Sequence, residues 1–107
     1  MYTISEDLVQ LELDENKLIF FEINKKKVKL IPDIIREEFN EAQVINEHNS
    51  EEKVIYQVYL IENNIEFTIR IIASFFHDSV TIIADEANIT MRAYQTLNKN
   101  LVNSSSA

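Results

Sequence analysis

VIYQVYLIENNIEFTIRIIASFF, residues 54–76, is the stretch whose reading decides how this chain folds. Two apolar arms, residues 54–61 and 65–76, flank Glu62, Asn63 and Asn64. In the second arm Ile65, Phe67, Ile69 and Ile71 alternate with Glu66, Thr68 and Arg70, the period-two pattern of a strand with one buried face. Asparagine tolerates the left-handed backbone region better than most residues, so the Asn pair does here what glycine usually does in a tight hairpin turn. The stretch therefore reads as an antiparallel hairpin. Tyr56 and Tyr59 straddle its two faces, because their separation is odd.

Working outward toward the N-terminus, residues 8–13 (LVQLEL) alternate and read as a strand after an irregular start over residues 1–7. Residues 18–23 (LIFFEI) form a more continuous apolar strand, and residues 28–31 (VKLI) a short third one. Pro32 ends that strand and suits the first turn of a helix. In PDIIREEFNEAQVI, Ile35, Phe39 and Ala42 recur at helical spacing, Ile34 widens the stripe, and Asp33 complements the positive end of the helix dipole. NEHNSEE, residues 46–52, reads as a loop.

Toward the C-terminus, His77, Asp78 and Ser79 read as a turn, and residues 80–84 as a strand. Asp85 or Asn88 is placed to cap a final helix that carries Ile89, Ala93, Leu97 and Leu101 on one side, with Tyr94 alongside. Residues 103–107 (NSSSA) read as a polar, disordered tail. The expected fold is α+β: a single domain over residues 1–102, with an antiparallel sheet of about six strands in β-β-β-α-β-β-β-α order and two helices packed on one face.

Composition narrows the chemistry. The chain has 107 residues, no cysteine and no glycine. Walker loops, dinucleotide fingerprints and nucleophile elbows all need glycine where backbone approaches phosphate or turns sharply, so none of these motifs exists here. Without cysteine there are no disulfides, thiolate ligands or thiol nucleophiles, which fits a reducing, cytoplasmic setting. Lys+Arg number 10 against 18 Asp+Glu, a net charge of −8. Such a surface repels polyanions, so neither nucleic acid nor an anionic membrane is an expected partner. No apolar run approaches the roughly 20 residues that span a bilayer, and the first residues lack the pattern of a signal peptide.

Catalytic signals are weak. Adjacent residues such as His77, Asp78 and Ser79 cannot form a relay, because an imidazole needs its partners on opposite ring nitrogens. His48 lies among Glu47, Glu51 and Glu52 without the convergent spacing of a metal site. No catalytic residue, metal or cofactor is assigned. Lys25, Lys26, Lys27 and Lys29 form the basic cluster of the chain and read as a charge-balancing, edge-guarding turn, with contact to phosphate or an acidic partner as the other reading.

The aromatic pairs Phe20–Phe21 and Phe75–Phe76 place one ring on each strand face, as do Tyr56 and Tyr59. An exposed apolar face marks a partner site. Candidate partner contacts are thus Phe20, Phe21, Tyr56, Tyr59, Phe75 and Phe76, with the acidic helix residues Glu37, Glu38 and Glu41. The expected function is a small acidic, non-enzymatic protein-binding module of the inhibitor, immunity or chaperone kind. It docks on a basic or apolar protein surface and forms a homodimer. The alternatives are a metal-dependent or His/carboxylate enzyme built on His48 and His77, and a dimer that holds a small ligand between sheet and helices.

Overall fold

The computed structural model of the chain describes residues 3–6, 9–12 and 16–102, with side chains from residue 16 onward. The described residues form an α+β fold. In chain order they are β1 (Thr3–Glu6), β2 (Val9–Glu12), β3 (Lys17–Phe21), a 3-10 helix (Lys25–Leu30), α1 (Ile31–Glu38), β4 (Gln43–Asn49), β5 (Lys53–Glu62), β6 (Ile65–Ser74), β7 (Ser79–Ala84) and α2 (Ala87–Leu101). The strands make one sheet in the order β1-β2-β3-β7-β6-β5-β4, and every neighbouring pair is antiparallel. The five strands from β3 onward carry the described side chains.

The hairpin of β5 and β6 sits between β7 and the edge strand β4. Its register runs from Lys53 opposite Ser74 to Glu62 opposite Ile65 without a slip. Asn63 and Asn64 turn the chain with φ of 53° and 64°, the left-handed pair that a two-residue hairpin turn requires. Strict alternation sends Val54, Tyr56, Val58 and Leu60 to the same face as Phe67, Ile69, Ile71 and Ala73, and all of them are buried. Leu18 and Phe20 of β3, with Val80 and Ile82 of β7, extend that face. α2 covers it with Ile89, Ala93, Leu97 and Leu101, and α1 adds Ile31, Ile34 and Ile35, giving one contiguous core. No helix of the described residues is long and apolar enough to cross a membrane.

The structure departs from the sequence expectation at four places. Residues 28–31 are not a strand: Val28 and Ile31 are both buried but stand three apart, the repeat of a 3-10 turn. Asn24 starts that turn, its side chain accepting from the Lys26 N–H at 3.0 Å. The helix expected through Ala42 ends at Glu38, where Phe39 adopts extended backbone and Glu41 turns left-handed at φ 63°. Most of the stretch expected as a loop over residues 46–52 belongs to β4, which pairs with β5 and carries a bulge between Asn46 and His48. Its polarity fits an edge strand, where the outer side chains meet water and the bulge discourages further pairing. Residues 3–6, expected to be irregular, pair with β2. The expected tail at residues 103–107 lies outside the described residues.

A further correction concerns Asp85. Neither it nor Asn88 caps α2: the cap position is Glu86, which makes no side-chain cap bond, and Asn88 lies inside the helix. The Asp85 carboxylate instead accepts from the Thr68 N–H at 2.7 Å and from its hydroxyl at 3.2 Å. The β6–β7 register ends at Ile69 opposite Ala84, so this carboxylate satisfies the next backbone donor after the ladder stops.

A candidate protein-docking groove

The face of the sheet away from the helices is left open among the described residues. Ile19, Ile55, Ile72 and Ile83 project onto it and are partly exposed. Exposure rises toward β4 and the Asn63–Asn64 turn. Ile45 is 49% exposed, Tyr59 43% and Ile61 64%. The register explains why these three lie together. Ile45 is opposite Gln57, Gln43 is opposite Tyr59, and Ile61 is two residues beyond Tyr59 on the same face.

Here the surface dips into a groove of about 510 Å³, lined by Glu41 from the α1–β4 connector, Gln43 from β4, Tyr59 and Ile61 from β5, and Glu66 and Thr68 from β6. Glu66 stands directly across from Ile61. Neither Glu41 nor Glu66 makes an ion pair among the described residues, whereas Glu38, Glu47 and Glu62 each hold an arginine. The groove thus joins an aromatic ring and an isoleucine to two free carboxylates, a set that suits a cationic group on an apolar stem. Thr68, pinned by Asp85, fixes its floor.

Arg92 of α2 lies on the helix-covered side of the same end of β5. Its guanidinium donates two parallel bonds to Glu62 at 2.7 and 2.9 Å and a third to Glu38 at 3.1 Å, and it lies 4.6 Å from the centre of the Phe39 ring. These contacts tie α2 to the end of α1 and to the end of β5. The Arg92 hydrogen bonds hold the Glu62 carboxyl below its ordinary range, against a smaller opposing effect of burial. Arg70 on the open face is likewise engaged, donating to Glu47 at 3.0 Å.

Comparison of the chain with protein-family models, with curated proteins and with solved structures returned no match. Its reading rests on its own geometry.

Of the residues singled out in the sequence, Tyr59 and Glu41 come together in the groove. Phe20 does not belong to any surface: it is 1% exposed and packs edge-on against Tyr94, with ring centres 5.3 Å apart. Tyr56 sits on the helix-covered face, 8% exposed. Phe75 packs against the core, and Phe21 is half-buried opposite Ser79. Phe76 is 84% exposed at the β6–β7 turn, far along the sheet from the groove, with His77 edge-on to it at 4.9 Å. Glu38 is committed to Arg92, while Glu37 is exposed on α1. His48 lies on β4 at the bulge, and among the described residues no three His, Cys, Asp or Glu side chains converge as metal ligands.

Sequence reasoning missed Gln43, Ile61, Glu66 and Thr68 as groove residues, and Ile45 as an exposed apolar side chain on the same face. Ile61, Glu66 and Thr68 were legible as outward positions of the hairpin. Ile45 was hidden because its strand has almost no apolar periodicity.

Proposed function

We propose that this chain is a small acidic protein-binding module that docks a basic, amphipathic segment of another protein in the groove beside Tyr59. The observation that carries this reading is the coincidence, at one place, of exposed apolar side chains and carboxylates without cationic partners. Large apolar side chains at a sheet surface favour burial against a partner. The carboxylates select a lysine or arginine over an acidic residue, and the net charge of −8 accelerates encounter with a basic surface.

The mode of action is steric: the module covers the partner's basic surface, as an inhibitor, an immunity protein or a chaperone does. A second copy is a poorer occupant of the groove, since it brings eight further negative charges toward Glu41 and Glu66.

An alternating Leu/Arg hexapeptide titrated into the isotope-labelled protein tests the proposal. The expected result is a saturable shift of the Gln43, Tyr59, Ile61 and Thr68 amides that weakens with salt. It should weaken about tenfold in Glu41→Gln/Glu66→Gln, as loss of two charge-assisted contacts implies. Shifts scattered elsewhere, or an affinity unchanged in the double variant, would sink the reading. Capture from host lysate with wild type and Tyr59→Ser/Ile61→Ser then identifies the natural partner, which should be retained by the first and lost by the second. Light scattering after gel filtration shows whether a second copy competes.

A further inference from the structure

A second cavity lies at the opposite end of β5, on the helix-covered side. It measures about 370 Å³ and is bounded by Lys25, Lys26 and Lys29 of the 3-10 helix, Asn49 at the end of β4, Tyr56 of β5 and Phe75 just after β6, with valine side chains completing an apolar wall. Its charge is opposite to that of the groove. Lys25 is paired with Asp78 at 3.2 Å, but Lys26 and Lys29 have no carboxylate partner among the described residues. Glu51 and Glu52, exposed in the neighbouring turn, do not line it.

Tyr56 supplies the independent observation. The residue is 8% exposed, and its hydroxyl has no hydrogen-bond partner among the described residues. Yet no buried side-chain nitrogen or oxygen is left without a partner there. The phenolic oxygen is therefore not sealed into the core; it opens onto the cavity that the residue lines. Burial raises its pKa, so it remains a neutral hydrogen-bond donor.

We propose that this cavity binds a single-ring organic anion, an aromatic ring bearing a carboxylate or phosphate. The ring packs against Phe75 and the valine wall. Lys26 and Lys29 neutralise the charge, and the Tyr56 hydroxyl and Asn49 amide donate hydrogen bonds to its oxygens. The volume lies near the floor of the roughly 300–1,000 Å³ range of ligand pockets, which admits one ring with its charged group and excludes a dinucleotide. Lysines act as point charges without the fork of arginine, so charge matters more here than the planar geometry of the anion. This site is independent of the docking groove.

The test is an amide-shift titration of the full chain with phenyl phosphate, run in parallel with benzyl alcohol and with inorganic phosphate. Phenyl phosphate should shift Lys26, Lys29, Asn49 and Phe75 saturably, with a Kd of about 1 mM or tighter. Each control lacks half of the recognition and should bind at least about tenfold more weakly. Lys26→Gln/Lys29→Gln should weaken phenyl phosphate about tenfold, and Tyr56→Phe about threefold with the melting temperature retained. The lysine variant lies on the surface and keeps the test decisive if Tyr56→Phe disturbs packing. Absence of a saturable shift at these residues, equal binding of either control, or an affinity untouched by the lysine substitutions would each overturn the proposal.

Discussion

Tyr56 and Tyr59 stand three residues apart on β5, and the fold treats them in opposite ways. Tyr56 faces the helices at the basic end of the strand, its ring in the core and its hydroxyl at a cavity rimmed by lysines. Tyr59 faces away from the helices at the other end, exposed beside Glu41 and Glu66. Odd spacing on a strand sets the face, and the elements packed at each end set the sign of the surrounding charge. The 3-10 helix brings lysines to one end, while the α1–β4 connector and β6 bring carboxylates to the other. One residue type therefore does two jobs, and the difference lies in its neighbours.

Alanine substitution at each tyrosine is the most direct way to break this comparison. Tyr56→Ala should cost about 3–4 kcal/mol of stability, because it empties ring volume from a close-packed face. Tyr59→Ala should cost less than about 1 kcal/mol while weakening the hexapeptide of the docking test. Urea denaturation of the two variants measures the contrast; similar losses at both positions would show that the outer face is covered.

Arg92 sharpens the comparison at the acidic end. Arg92→Met removes the bonds to Glu62 and Glu38 and the contact with Phe39. Both carboxylates are partly hydrated, so the expected loss is about 2 kcal/mol rather than the larger cost of a buried pair. The pH dependence follows from the lowered pKa of Glu62. A carboxyl whose folded pKa lies below its unfolded value of about 4.3 contributes fully above that value, and the contribution is lost as pH falls through the folded one. Urea midpoints followed down the acid limb should fall more steeply for wild type than for Arg92→Met.

Two smaller effects test the turns. Glu41→Gly should raise stability by about 1 kcal/mol by relieving left-handed backbone, yet weaken docking, separating strain from function at one position. Asn64→Gly, at φ 64° in the β5–β6 turn, should stabilise by about 0.5 kcal/mol and leave both sites unchanged. Thermal melts alongside the two titrations read these outcomes.

The hairpin was legible because its signals are local: alternation over ten-residue arms and an Asn pair that tolerates positive φ. The last helix was legible through Ile89, Ala93, Leu97 and Leu101. Residues 28–31 were misread as a strand because four residues carry too little pattern to separate a repeat of two from a repeat of three. β4 was misread because an edge strand with polar side chains gains its order from backbone bonds to β5, which leave no mark in hydrophobicity. Asp85 was misassigned for a related reason. Its partner is Thr68, 17 residues away, and a cap looks identical in sequence. The groove was half legible, since outward positions of a strand can be read but their grouping cannot.

By itself the sequence determined the α+β class, the long β5–β6 hairpin, the acidic balance and the exclusion of glycine- and thiol-based chemistry, because these follow from composition and short-range periodicity. Only the tertiary structure decided which tyrosine is buried, which carboxylates already hold an arginine, and which lysines meet at a cavity. Those outcomes depend on distances between residues far apart in the chain, and such distances are fixed when the sheet register and the helix packing close together.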